Sequence, residues 1–214
     1  MKHVLCLVLL AVGIACCALL ARRAGSADTL APTPYDAAIR RAARRHLPEG
    51  WDWRIFKAMV YQESRFDPHA FSLSGAVGLC QLMPATADRL GLRRADLQRP
   101  EASLDAGARY LRECWDTLEG LEDAPPRWDR SRAAVAAYHA GPGAVRRARA
   151  ACGPAGRSWH AISGQLPEAV RRHVDAVFGE AYRGTRRVHP GGAPGVCTPA
   201  VEFPGPGRGR GPQR

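Results

Sequence analysis

One glutamate stands where a carboxyl group could do chemistry. In the stretch Trp53–Ser64, the residues Phe56, Met59 and Glu63 fall at i, i+3 and i+7, with Val60 beside them. At 3.6 residues per turn these positions share one face of a helix. Glu63 therefore continues an apolar stripe, and a carboxyl group drawn toward a core is favoured in its protonated form. A proton held in that way is what cleavage of a glycosidic bond requires, because the leaving oxygen has to receive one. Taken alone, a glutamate near a helix end is more often a solvent-facing residue or the partner of a neighbour such as Arg65.

The residues C-terminal to Glu63 change that weighting. The chain runs Glu63-Ser-Arg-Phe-Asp-Pro to Ser72, then Ser74-Gly-Ala-Val-Gly-Leu-Cys-Gln-Leu-Met-Pro, then Thr86-Ala, and later Ala137-Tyr-His-Ala-Gly-Pro-Gly-Ala-Val. Together these segments resemble the catalytic domain of the soluble lytic transglycosylases, over roughly residues 35–182. Two more segments, Trp51-Asp-Trp-Arg with the following Tyr-Gln-Glu-Ser, and Ser103-Leu-Asp-Ala-Gly-Ala-Arg-Tyr-Leu, are similar to the catalytic half of the membrane-bound lytic transglycosylases of type F. The amino-acid-binding-like domain that precedes that half in those enzymes is not expected here.

The resemblance implies an all-α, lysozyme-like helical domain of the goose-type and soluble lytic transglycosylase kind. It implies that Glu63 is the catalytic acid and base. It also implies that Ser72, Gln81 and Met83 line a glycan cleft, and that Tyr138 faces Glu63 from a neighbouring helix. Each has an ordinary reading beside this one: Ser72 as a turn residue, Gln81 as solvent-facing, Met83 as core filler, Tyr138 as a core tyrosine with a satisfied hydroxyl. The sequence also departs from the family pattern. Cys80 stands where Met is usual. His139 stands where Asn is usual, and is expected beside Tyr138, positioning it through a hydrogen bond. Near the C-terminal helix, aligning His173 with the family tyrosine leaves Ala169 at the position of a family glutamate, so Glu168 receives no role.

A glycoside hydrolase ordinarily uses two carboxylates, and no recognisable motif supplies a companion to Glu63; Asp67 comes after the helix and is expected to shape the loop. One carboxylate suits an intramolecular reaction, in which the muramoyl C6 hydroxyl attacks C1 and leaves a 1,6-anhydro end. Two alternatives stay open: a lysozyme-like hydrolase of the same bond, and a non-catalytic glycan-binding adaptor of an envelope secretion apparatus. No metal and no organic cofactor is implied. No cysteine pair has CxxC spacing, so zinc or thioredoxin chemistry has no support from that side.

The elements that must position these residues read as helices over 36–47, 53–64 and 84–90. A fourth is expected from an N-cap at Ser103 to Leu118, and a fifth from an N-cap at Ser131 to Tyr138. A sixth begins after Gly143, and a seventh spans 167–182. No segment alternates with period two, so no strand is expected. Lys2 and His3, then an apolar run to Leu20, and a small-residue site at Gly25-Ser26-Ala27 make residues 1–27 an export signal or membrane anchor. A linker over 28–34 leads to the catalytic domain at 35–183. The Gly/Pro/Arg-rich residues 184–214 have too little apolar content to fold.

Export places the protein in the periplasm or cell envelope. There Cys80 reads as a small core residue, while pairing of Cys114, Cys152 and Cys197 is left unassigned. The net charge of +11 favours an anionic partner, here peptidoglycan glycan strands. Nucleic acid is not expected, because the arginine pairs are scattered rather than interleaved with aromatic residues on one face.

Overall fold

The computed structural model describes residues 31–121 and 128–183, and their regular elements are helices joined by loops. In chain order the helices are α1 (Asp36–His46), α2 (Trp53–Ser64), α3 (Pro84–Arg89), α4 (Pro100–Asp116), α5 (Trp128–Ala140), α6 (Pro142–Ala151), α7 (Trp159–Gly164) and α8 (Glu168–Ala181). A 3-10 turn, Arg94–Gln98, joins α3 to α4, and another comes after α6 at Gly153–Ala155. The only β-type pairings among the described residues are two isolated bridges, Phe71 with Val77 and Val77 with Leu82, in the loop after α2. The signal, the start of the linker and the Gly/Pro/Arg-rich tail lie outside the described residues. Among those described, no helix is long and apolar enough to cross a membrane.

The centre of the packing is α5. From Ala133 to Tyr138 all its side chains are buried, the pattern of a helix enclosed on every side rather than amphipathic. Its run of alanines lets neighbours approach closely: α4, α6, α7 and α8 all pack on it. A second set of contacts joins α1 to α2 and α4, and α2 to α8. Into that interior α2 sends Ile55, Phe56, Met59 and Val60, α4 sends Leu104 and Leu111, and α8 sends Val174 and Val177. The ends of α2 and α8 are tied as well. The Asp52 carboxylate caps α2 by accepting from the Arg54 N–H at 2.9 Å, and it accepts from the Tyr182 hydroxyl at 3.2 Å.

Two expected caps are corrected. Ser103 and Ser131 lie inside α4 and α5, one turn past the true starts, and both are buried. Pro100 opens α4, where its fixed φ suits the first helical position. The hydroxyl of Ser103 serves a different purpose, accepting from the Cys80 N–H at 3.3 Å. Helix α7 and the 3-10 turn at Arg94–Gln98 carry no long apolar stripe and were not expected. Ser158 caps α7, accepting from the Ala161 N–H at 3.3 Å. Cys80, Cys114 and Cys152 are free thiols, the first two buried.

Candidate active site

Glu63 is the penultimate residue of α2, directly above Phe56, Met59 and Val60, none of which is exposed. Beyond it the chain must leave the helix within two residues to keep the carboxyl at the surface of the core. It does so through a left-handed pair, Arg65 at φ 54° and Phe66 at φ 64°. The Arg65 N–H still donates to the Tyr61 carbonyl at 2.8 Å, closing the last turn. Asp67 then shapes the loop as expected, its carboxylate accepting from the His69 N–H at 2.8 Å. The side chain of Glu63 retains 14% of its exposure, and its Oε1 is buried with no hydrogen-bond partner.

The wall opposite is the loop from Ala70 to Met83, stitched down at several points. Gly78 has φ 78°, and a Cβ there would meet the Leu97 carbonyl oxygen at 2.0 Å, so only glycine fits. Cys80 is fully buried against Gly107 of α4, where an added Cβ would lie 2.4 Å from the thiol sulfur. Burial pushes that thiol's pKa up, with the Glu63 charge adding to the effect, so it stays a neutral core group. Gln81 adopts φ 45°, an uncommon conformation for a residue with a side chain. Its amide donates to the carbonyls of Ala70 and Gly78, both at 3.1 Å, which holds that conformation. Ser72 accepts from the Ala76 N–H at 2.9 Å and so is a turn residue as well as a wall residue.

These pieces enclose a cleft of about 380 Å³ lined by Glu63, Ser72, Gln81, Met83, Tyr138 and His139 among others. Every site residue expected from the sequence is therefore brought to one place. Met83 is partly exposed there rather than core filler. Glu63 is the sole carboxylate among the residues that line it. A larger hollow of about 770 Å³ between α1 and α4 is lined by Arg41, Arg45, Arg99, Glu101 and Asp105, and holds none of the expected site residues.

The tyrosine and histidine roles differ from expectation in one respect. The Tyr138 hydroxyl donates to the Cys80 carbonyl at 2.7 Å. It has no bond to His139, so the expected positioning of Tyr138 by that histidine is wrong. The reason is helical geometry: neighbours in sequence point about 100° apart around the axis, so Tyr138 faces α4 while His139 turns outward. Burial pushes the tyrosine's pKa well above its ordinary range, with the Glu63 charge adding to it. Its hydroxyl thus remains a donor at any working pH.

His139 instead stacks on His173 of α8, with ring centroids 4.0 Å apart and planes 14° from parallel. Both imidazoles face Glu63. Its Oε1 lies 3.4 Å from His173 Nε2 and 3.9 Å from His139 Nδ1. Burial pushes the His173 pKa down to about 4, against the pull of Glu63 and with the push of His139. At neutral pH its approach to Glu63 is therefore that of a neutral ring and not an ion pair. Sequence reasoning gave His173 no role; its one signal was that an imidazole stands where the resembled family carries a tyrosine.

The sequence pattern of the transglycosylase SLT domain matches residues 40–157, more than half of the chain. The chain belongs to the SLT transglycosylase family. Among curated relatives, this SLT protein is 36% identical to the membrane-bound lytic murein transglycosylase F of Desulfosudis oleivorans over 156 residues, 70% of this chain and 32% of that protein. It is 37% identical to the protein of the same name from Alcanivorax borkumensis over 55% of this chain and 25% of that one. The SLT chain thus spans about a third or less of the length of these relatives. Among solved structures it is similar to an inactive glutamate-to-glutamine mutant of the lytic transglycosylase Slt of Pseudomonas aeruginosa. The TM-score is 0.55 and the identity 27%, over 71% of this chain and 24% of that one. It is also similar to the 70 kDa soluble lytic transglycosylase Slt70 of Escherichia coli, with TM-score 0.54 and 25% identity over 70% of this chain and 24% of that one. The all-helical, lysozyme-like fold expected from the sequence is the fold these SLT proteins share.

Proposed function

We propose that the protein is an exported lytic transglycosylase of the cell envelope. It cleaves the β-1,4 bond between N-acetylmuramic acid and N-acetylglucosamine without water and leaves a 1,6-anhydro end. The observation that carries this reading is the single carboxylate. Glu63 alone among the lining residues bears one, and its Oε1 is buried without a hydrogen-bond partner, so the group is not committed to holding the fold together. Retaining and inverting hydrolases both place a second carboxylate across the bond. Membership of the SLT family supports the substrate class, and in the Pseudomonas relative a glutamate-to-glutamine mutant is inactive. The relatives named as membrane-bound and the apolar N-terminal run support an envelope location.

In the first step Glu63 gives its proton to the bridging oxygen, and the bond from that oxygen to muramoyl C1 breaks. The substrate's own acetamido group shares the positive charge left at C1. Glu63, now a carboxylate, takes the proton of the C6 hydroxyl as that oxygen bonds to C1. The nucleophile is tethered to the sugar it attacks, so its approach costs little entropy. Tyr138 and the Cys80 carbonyl brace the wall opposite Glu63, and Gln81 and Met83 present a polar and an apolar surface to the glycan.

The test is the mass of the muropeptides that the purified protein releases from sacculi. Anhydro ends lack one water relative to reducing ends and are the expected product. Reducing ends would make the protein a lysozyme-like hydrolase. No release at all would favour a glycan-binding adaptor.

A further inference from the structure

Glu63 stands against two imidazoles, His139 and His173, that the transglycosylase chemistry does not use. The three residues come from three helices, α2, α5 and α8. Their potential ligand atoms, one from each side chain, all fall within 4.8 Å of one another. Glu63 Oε1 and His173 Nε2 are both buried and neither has a hydrogen-bond partner. Buried polar atoms are ordinarily satisfied. Here two unsatisfied ones face each other at 3.4 Å, with the Nδ1 of His139 beside them at 3.9 Å from the carboxylate oxygen.

The donor set selects a class of ligand. Two imidazole nitrogens and one carboxylate oxygen suit borderline divalent transition ions, and three protein ligands with an open fourth position are a common arrangement for zinc. Magnesium and calcium prefer an all-oxygen shell. A tetrahedral ion with bonds of about 2.0–2.1 Å holds its ligand atoms about 3.3 Å apart. The separation of Glu63 and His173 already has that span. His139 has to close by about half an ångström on the carboxylate and by up to about 1.5 Å on His173, and its ring has to fan away from the stacked arrangement so that its lone pair meets the same point. It is the one free to do so: its side chain is 37% exposed, against 12% for His173. Both imidazoles also stand at positions where the sequence departs from the pattern it otherwise resembles.

We propose that Glu63, His139 and His173 form a binding site for a borderline divalent transition-metal ion, Zn²⁺ foremost, and that occupancy switches glycan cleavage off. A carboxylate coordinated to a cation cannot carry the proton that the leaving oxygen needs. The ion and its remaining ligand also take the space above Glu63 where the glycosidic oxygen has to lie. The inhibitory half rests on the reading of Glu63 as the acid; the binding half does not.

The experiment titrates the full chain with Zn²⁺, Co²⁺ and Mg²⁺ in a calorimeter and records the visible spectrum of the Co²⁺ form. The expected result is one Zn²⁺ per chain, no Mg²⁺ binding, and Co²⁺ bands of four-coordinate intensity. His139→Asn and His173→Tyr, each checked for helical content, weaken Zn²⁺ binding by about tenfold or more. If His173→Tyr fails to fold because that ring is buried, His139→Asn on the exposed side still decides the point. Muropeptide release by the wild type falls with Zn²⁺ and recovers with EDTA, and the inhibiting Zn²⁺ concentration rises by about the same factor in His139→Asn. Absence of Zn²⁺ binding, or binding of equal strength in the folded variants, overturns the site. Loss of activity on adding EDTA overturns the inhibitory role. A chain that binds Zn²⁺ through these residues but releases nothing with or without EDTA keeps the site and removes the transglycosylase reading instead. An active chain that binds no Zn²⁺ does the reverse.

Discussion

The hydroxyl of Tyr138 donates to the main-chain carbonyl of Cys80 at 2.7 Å, and this one bond joins the central helix α5 to the loop that forms the far wall of the cleft. Nothing else on Tyr138 can replace it, because the tyrosine is buried and its hydroxyl is held protonated. Tyr138→Phe keeps the ring and its packing and leaves the Cys80 carbonyl without this donor. The expected cost is about 1–3 kcal/mol, read as a lower urea midpoint, together with a fall in muropeptide release. An unchanged midpoint would mean that the loop is held without this bond.

Glu63→Gln is expected to keep the fold and lose nearly all activity. The amide is close to the same shape but has no proton to give, and positioned acid catalysis contributes on the order of a hundred- to ten-thousandfold. Circular dichroism and muropeptide release measured on the same preparation check this. Release above about a tenth of the wild-type rate would show that the proton comes from elsewhere.

Gly107 tests the close approach of α4 to the loop. In an open helix, glycine to alanine stabilises by about 0.5–1 kcal/mol. Here the new Cβ would lie 2.4 Å from the Cys80 sulfur and 2.7 Å from its Cβ, too close for either to remain in place. Gly107→Ala is therefore expected to reverse the usual sign and destabilise by about 1–3 kcal/mol. Thermal melts of the two proteins decide it; a stabilised variant would show that the loop yields freely.

Lys57 and Asp36 give the fold an acid limit. The side chain of Lys57 is fully buried, and its ammonium lies 2.8 Å from the Asp36 carboxylate and donates to the Ala31 carbonyl at 2.7 Å. Burial pushes the Asp36 pKa up, but the hydrogen bonds from Lys57 and Thr33 and the Lys57 charge outweigh it and hold the carboxyl below its ordinary value. A carboxylate with a lowered folded pKa stabilises above its unfolded pKa, about 3.9, and that stability is lost as pH falls through the folded value. Asp36→Asn leaves the buried ammonium with the Ala31 carbonyl but no opposite charge and is expected to cost about 1–3 kcal/mol at pH 7. The gap between the wild type and the variant closes as pH drops below about 4. Urea midpoints at pH 7 and pH 3 measure it, and a gap that is the same at both would remove the ion pair from the account.

The sequence by itself determined the helices whose apolar residues recur at helical spacing and whose ends carry a stop. Helix α2 has the bounds its pattern implied, and α1 and α8 differ by a residue at their ends. It also placed Glu63 on the buried stripe of α2, because periodicity is a property of one segment and needs no partner to be read. The motif after Glu63 marked the loop that becomes the opposite wall. Only the tertiary structure decided what each side chain meets. Ser103, which reads as a cap, became a clamp on Cys80 because Pro100 had already opened the helix one turn earlier. Tyr138 and His139, adjacent in the chain, went to different partners because a helix turns successive residues apart. His173 reached Glu63 because α8 packs against both α2 and α5. That convergence depends on how three helices cross, and the spacing of residues within any one of them carries no record of it.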